Sequence, residues 1–381
     1  YIDLSKAFDS LDHKILAHKL HYYGLDTSAV KLIENYLSNR RQYVQQDSTN
    51  SNITNISTGV PQGSILGPFL FLVFMNDFSY SSNFFQTINY ADDTTLLSTI
   101  STRHNQTVTV DSINRELSKI SAWLRVNKLM LNEDKTKMMC FYHPNKKIDF
   151  PELKLNNIII ERVENFNFLG IVINQHLSWS PHTTAISNKI AKISCILTKL
   201  KHFLPRTILK TIYSSLIACH LNYGILLWGN KFEKVFKLQK RVIRAISSSR
   251  SIAHTDPLFI RLAILKLPDI KKLNELKFYY KIANNLLPSY FREDFVIRNE
   301  TNHNYFTRHH QDLRLPTFIR NYSRQTLRYS LAKTINEAPN CLTDKVHTHS
   351  LKGFSNYVKH YFLSHYNREC HIQSCYVCSS S

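Results

Sequence analysis

The stretch Ile88-Asn89-Tyr90-Ala91-Asp92-Asp93-Thr94-Thr95-Leu96-Leu97 places strand-forming residues on both sides of two adjacent aspartates. The pattern predicts two strands joined by a tight turn that carries both carboxylates. Aspartate suits a turn, but neighbouring like charges repel. A third carboxylate, Asp3, stands in Tyr1-Ile2-Asp3-Leu4-Ser5-Lys6-Ala7-Phe8-Asp9, where residues 1–4 read as a short strand leading towards a helix. Asp3 and Asp92 brought to one sheet edge need cations between them. Mg²⁺ meets that need, because it takes oxygen ligands from a few carboxylates and completes its shell with water and substrate phosphates. Two such ions about 3.5–4 Å apart activate an attacking oxygen and stabilise a leaving one in phosphoryl transfer. Between the two segments lies the Gly/Pro cluster of this half, Gly59-Val60-Pro61-Gln62-Gly63-Ser64-Ile65-Leu66-Gly67-Pro68, which reads as a loop.

Outward from these segments, residues 1–175 mix helices and strands. Ser5 or Ser10 is expected to cap a helix through Leu11, Ile15, Leu16 and Leu20 that stops at Gly24. Residues 28–37 read as helix, and 41–58 as an extended Asn/Ser/Thr-rich hairpin. Residues 111–129 form an amphipathic helix with Ile113, Leu117, Ile120 and Leu124 on one face, and 137–142 and 166–173 read as strands. The domain is therefore α+β. Beyond Pro181 apolar residues recur at 186, 190, 193, 197, 200 and 204, as a helix requires, and 207–228, 231–247 and 269–287 continue the pattern. Residues 290–325 are loop-rich, with short helices expected at 326–335 and 351–363. The expected division is 1–175, a helical basic region at 176–250, and a helical and loop-rich region at 251–381.

The 381 residues carry 48 Lys and Arg against 28 Asp and Glu, a net charge of +20, with 43% apolar and 12% aromatic content that excludes a disordered chain. Residues 1–150 hold 15 basic and 14 acidic side chains, so +19 of the surplus belongs to residues 151–381. A surplus of that size attracts a polyanion, usually nucleic acid. No membrane span is expected, since the apolar run from Phe69 to Met75 is far shorter than the ~20 residues a spanning helix needs. Seven cysteines, with Cys140, Cys195, Cys219 and Cys341 isolated, disfavour a disulfide framework and fit a reducing intracellular compartment, nucleus and cytoplasm. Cys370, His371, Cys375 and Cys378 contain one ordinary Cys-x₂-Cys half-site for zinc, but the adjacency of Cys370 and His371 disfavours the full site.

The order Asp-x-x-x-Ala-Phe-Asp, Gly-Val-Pro-Gln-Gly-Ser-x-Leu-Gly-Pro, Tyr-Ala-Asp-Asp resembles the palm of a reverse transcriptase, particularly of the LINE-type (non-LTR) retrotransposons. The resemblance implies a right-hand polymerase palm of α+β class followed by a mostly α-helical thumb and C-terminal region. It implies RNA-directed DNA polymerase activity, in which two Mg²⁺ ions assist addition of dNMP from a dNTP to a DNA primer 3′-OH on an RNA template. Asp3, Asp92 and Asp93 are then the metal-binding carboxylates. Phe8 is the aromatic gate that excludes a nucleotide 2′-OH. Gln62 and Gly63 form the nucleotide- and template-contacting turn, where a missing side chain lets backbone approach closely. Lys135, in Leu131-Asn132-Glu133-Asp134-Lys135-Thr136-Lys137, is the proton donor to the pyrophosphate leaving group. Phe168-Leu169-Gly170 resembles the hairpin that grips the primer.

Further on, Leu238-Gln239-Lys240-Arg241-Val242-Ile243-Arg244, His254-Thr255-Asp256-Pro257-Leu258 and Thr307-Arg308 resemble the region downstream of jockey-like polymerases. On a helix, Lys234, Lys237, Arg241 and Arg244 fall at intervals of three, four and three, a basic stripe for nucleic-acid phosphates opposite Val235, Leu238, Val242 and Ala245. In this family fingers strands lie upstream of the Asp3 strand and an endonuclease domain is normally N-terminal, so the chain reads as truncated upstream. The rival expectations are a catalytically inactive nucleic-acid-binding remnant of such an element and a group II intron maturase relative.

Overall fold

The structure is a computed structural model that describes residues 1–99, 106–145, 150–156, 158–295, 313–316 and 325–366. Two compact units divide between Phe166 and Asn167. The second unit takes in the helices expected for both 176–250 and 251–381; one core cluster joins residues 186–246 to residues 258–270 and Tyr366, and a second gathers residues from Leu276 to Val358.

In the first unit, residues 1–4 run extended between two other segments. On one side Ile2 N–H donates to Thr94 O at 2.8 Å. On the other, Leu4 bridges Leu131, Asn132 N–H donates to Asp3 O at 2.8 Å, and Lys137 N–H donates to Tyr1 O at 3.0 Å. A one-turn 3₁₀ helix, Ala7–Asp9, leads to α1 (His13–Tyr22) and α2 (Thr27–Leu37). The cap of α1 is Asp12, not Ser5 or Ser10: its Oδ1 accepts the N–H groups of Lys14 and Ile15, both at 3.0 Å. Ser10 lies within the preceding turn and donates to Ala7 O instead. The Asp12 carboxylate satisfies two of the otherwise orphaned N–H groups at the helix start and suits the helix dipole.

The expected hairpin at 41–58 is two short antiparallel ladders, β1 (Arg41–Gln42) with β4 (Thr54–Asn55) and β2 (Gln45–Gln46) with β3 (Thr49–Asn50). The apolar run after Gly67 is α3 (Leu66–Met75). Then come the decisive strands β5 (Gln86–Tyr90) and β6 (Asp93–Leu97), paired antiparallel with Tyr90 opposite Asp93, and α4 (Gln106–Val126). Of the strand expected at 137–142 only β7 (Lys137–Met138) forms. Strands β8 (Lys154–Leu155) and β9 (Ile158–Ile159) pair with each other, and β10 (Glu161–Arg162) runs parallel to β7. The core joins Leu11, Leu16 and Leu20 of the first helical segment to Phe71, Phe74 and Phe78, all at most 1% exposed, and to Ile120 of α4. Each such large side chain contributes about 1.5–3 kcal/mol by leaving water, which anchors the strands carrying the aspartates.

The chain enters the second unit within the hairpin β11 (Asn165–Phe168) and β12 (Ile171–Asn174). Helix α5 (Ser180–Leu200) begins six residues ahead of the expected apolar position 186, with Pro181 in its first turn. Residues 207–228, expected as continuous helix, are α6 (Arg206–Leu216), α7 (Ala218–Asn222) and α8 (Ile225–Trp228). The break before α8 falls at Gly224, at φ 61°, where a Cβ would press on the Ile171 Cδ1 methyl and make it shift. Then follow α9 (Glu233–Ile246), α10 (Asp256–Leu262), α11 (Leu267–Ala283), α12 (Ser289–Phe295), α13 (Leu327–Asn336), α14 (Asn340–Thr343) and α15 (Leu351–Ser364). Gln239 of α9 is fully buried: its amide donates to Tyr213 Oη at 2.9 Å and Leu265 O at 3.0 Å and accepts from Leu267 N–H at 2.9 Å. Among the described residues no helix is long and apolar enough to cross a membrane.

Candidate active site

The strand at residues 1–4 alternates Ile2 and Leu4 into the core, which turns Asp3 the other way. Beside it the β5–β6 hairpin closes through Ala91 and Asp92, with Ala91 at φ 53°. That left-handed backbone costs an L-residue about 1 kcal/mol and holds Asp92 and Asp93 at the tip. The carboxylates sense one another: burial, then the charges of Asp92 and of Asp3, raise the Asp93 carboxyl above its ordinary pKa. Lys135 completes the group, with its Nζ 3.8 Å from Asp3 Oδ2. Its placement comes from the backbone. The turn 132–136 is closed by Thr136 N–H to Asn132 O at 3.0 Å and is docked onto the strand by Asn132 N–H to Asp3 O and by Asp3 N–H to Thr136 Oγ1 at 3.4 Å.

A second set of contacts zips the turn 6–9 to the loop that follows residue 57. Val60 N–H donates to Phe8 O at 2.9 Å, Gly59 N–H to Leu11 O at 2.8 Å, and Thr58 Oγ1 to Asp9 O at 3.0 Å. His13 Nε2 lies 2.7 Å from Gly59 O. Gly59, at φ +84°, is so close that a Cβ would stand 2.7 Å from Asp9 Cα and O. Past it, Gln62 and Gly63 are exposed, and Gln62 Nε2 donates to Asp9 Oδ1 at 3.1 Å. Gly63 has φ +81° and open space where its side chain would be. Phe8 is half-buried, its ring stacked on Phe71 at 4.5 Å between centroids.

Residues 1–173, which contain all of these groups, match the family model described as reverse transcriptase (RNA-dependent DNA polymerase). That stretch is similar to reverse transcriptases. Over 310 residues the chain is 27% identical to the RNA-directed DNA polymerase from mobile element jockey of Drosophila melanogaster, covering 76% of this chain and 32% of that protein. It is 26% identical over 261 residues to the probable RNA-directed DNA polymerase from transposon X-element of the same organism, covering 65% of this chain and 28% of that protein. The corresponding protein from transposon BS is 26% identical over 268 residues, with the same two shares. The chain thus spans about a third or less of the length of these relatives. Its likeness to the jockey protein runs past residue 173 into the helical half.

The first unit gathers Asp3, Asp92, Asp93 and Lys135 into one neighbourhood, with Phe8 and Gln62 on the zipped turn and loop. Carboxylate oxygens are the donor set that a hard divalent cation prefers, and the mutual repulsion at Asp93 is what a cation would relieve. Even so, no three His, Cys, Asp or Glu side chains among the described residues converge tightly enough to hold a metal by themselves. Phe168-Leu169-Gly170 forms the turn of β11 and β12, with Leu169 at φ 47° and Gly170 at φ 77°. Tyr223 Oη donates to Leu169 O, and its ring covers Gly170. On α9, Lys234, Lys237 and Arg241 are exposed, but Arg244 is half-buried and its Nε donates to Ala253 O at 2.8 Å. Three of the four expected cations therefore line the open face, and the fourth clips a loop. Cys370, His371, Cys375 and Cys378, and Thr307-Arg308, lie outside the described residues. Sequence reasoning gave no role to Asp9, Gly59 or Thr136. An available signal was Asp9 itself, a second carboxylate six residues after Asp3 in the same motif.

Proposed function

We propose that this chain carries the polymerising site of an RNA-directed DNA polymerase of the jockey-like non-LTR retrotransposons, with a palm at its N-terminal part and thumb-like helices after it. The reaction is transfer of dNMP from a dNTP to a DNA primer 3′-OH on an RNA template. The observation that carries this reading is the meeting of Asp3, Asp92, Asp93 and Lys135 around strands fixed by hydrogen bonds on both sides. Reverse transcriptases work with divalent metal ions, and Mg²⁺ is the ion these oxygen donors suit best. Asp3, Asp92 and Asp93 would hold the ions together with the phosphates of the nucleotide. Bound there, the ions supply Lewis-acid activation of the attacking oxygen and neutralise charge on the leaving group.

The chain's own residues do the rest. Lys135, kept close by Asp3, donates its proton to the departing pyrophosphate. Phe8 stacks on Phe71 and presents its remaining ring surface to the sugar, so a 2′-OH meets carbon. Gln62 and the bare backbone at Gly63 meet the nucleotide and template. Phe168-Leu169-Gly170 contacts the primer, and Lys234, Lys237 and Arg241 contact phosphates without reading sequence.

Primer extension on an RNA template with dNTPs and Mg²⁺ tests this, comparing the 381-residue chain with Asp92→Ala. Synthesis by the chain that is lost in the variant, with RNA affinity unchanged in both, is the expected result. RNA binding by both and extension by neither identifies a non-catalytic binder and refutes the proposal for this chain.

A further inference from the structure

We infer that Asp9 is the positioning residue for Gln62, fixing which way its amide faces and so setting how tightly the incoming nucleotide is held; the inference rests on the polymerase reading above. An amide has two faces of opposite chemistry, N–H₂ and C=O, and an exposed glutamine on a loop presents either. An ionised carboxylate accepts and never donates. The hydrogen bond from Gln62 Nε2 to Asp9 Oδ1 at 3.1 Å therefore turns the amide nitrogen inwards, leaving Oε1 and the second N–H for a ligand. That pair, one acceptor and one donor, matches a sugar hydroxyl.

The surroundings make Asp9 suited to this task. No lysine or arginine among the described residues forms an ion pair with Asp9, so its charge is available to Gln62. Its backbone is held by Thr58 Oγ1 on its carbonyl, by its own N–H to Lys6 O at 2.9 Å, and by the close approach of Gly59. The backbone that carries the Asp9 carboxylate is thus fixed, and both side chains are exposed. Phe8 is the neighbouring residue of the same three-residue turn, so sugar shape and sugar hydrogen bonding are set by one small rigid element.

The test is a double-mutant cycle on the full chain with Asp9→Ala, Gln62→Ala and the pair, read by steady-state primer extension. A hydrogen bond of this kind converts to about a five- to tenfold change. Asp9→Ala should raise the KM for dNTP by about that factor with kcat and RNA affinity little changed, and the double variant should be no worse than Gln62→Ala alone. Asp9→Asn, which offers a donor as well as an acceptor and so no longer fixes the amide's direction, should give a KM between those of Asp9→Ala and the parent. Additive losses in the double variant, or an Asp9→Asn as poor as Asp9→Ala, would overturn the inference. Hydrogen exchange of the peptide spanning 58–64 needs no catalysis and should speed up in Asp9→Ala but not in Asp9→Asn; unchanged exchange counts against the coupling. Failure of the parent chain to extend primers would sink the polymerase reading, while the exchange comparison would still decide the link between Asp9 and its loop.

Discussion

Replacing Gly59 by alanine inserts a methyl group into the contact between the loop and the turn 6–9. Two separate penalties arise. At φ +84° an L-residue is strained by about 1–2 kcal/mol. In addition, the Cβ would stand 2.7 Å from Asp9 Cα and O, which are backbone atoms with no rotamer to escape into. The loop must retreat, weakening the Gly59 N–H to Leu11 O and Val60 N–H to Phe8 O hydrogen bonds, each worth about 1 kcal/mol. The total is about 3 kcal/mol. Gly63→Ala is the internal control: its φ of +81° gives the same backbone penalty, but nothing lies within 4 Å of the new methyl. Both substitutions alter the unfolded chain alike, so that effect cancels between them. Hydrogen exchange in graded urea, followed on peptides from residues 1–99, measures each loss in the first unit alone. Gly59→Ala should exceed Gly63→Ala by about 2 kcal/mol. Equal costs would refute the view that the zipped contact holds the loop.

The raised pKa of Asp93 gives a signed pH dependence. Its native form holds a proton more tightly than the unfolded chain does, so stability falls as pH rises through the window just above the ordinary carboxyl value. Asp93→Asn should therefore melt slightly higher than the parent at pH 7 without divalent ions, with the gap gone near pH 3; a gap that widens on acidification would reverse the assignment. Phe8→Ala should raise rNTP use relative to dNTP by about tenfold or more, and an unchanged ratio in primer extension would remove Phe8 from the sugar contact. Gln239→Leu strips partners from Leu265 O, Leu267 N–H and Tyr213 Oη, all buried, and should cost about 3 kcal/mol in urea unfolding of the second unit. A loss below about 1 kcal/mol would mean that these groups find water.

What could be read in advance followed from local chemistry. The β5–β6 hairpin announced itself because strand residues flank the Asp92-Asp93 turn, and Lys234, Lys237 and Arg241 came out exposed because helical spacing fixes the face of a residue. The same spacing misjudged Arg244, since a long side chain can fold back to a carbonyl that arrives from a later loop. It was equally blind to Gln239, polar by type yet buried by three partners from distant segments. The break falls at Gly224, whose left-handed backbone ends the run, and a smooth apolar pattern across 207–228 concealed it. At the candidate site, the motifs singled out Asp3, Asp92 and Asp93, whose charges the structure brings within reach of one another. The approach of Lys135 to Asp3 and the clasp between Asp9 and Gln62 come from backbone hydrogen bonds across long separations, which no local pattern encodes.

Those long separations bear on how the protein is made. The strand that carries Asp3 is secured by Tyr1 to Lys137 and Asp3 to Thr136, pairs 136 and 133 residues apart. Closing such loops costs entropy before any contact repays it, and topologies rich in distant pairs fold slowly. On the ribosome, this strand waits with one edge unsatisfied until the turn 132–136 has been synthesised. The carboxylate neighbourhood is thus among the last parts of its unit to mature. A chaperone that shields the waiting strand would raise the yield of folded protein more than the stability of the finished fold suggests.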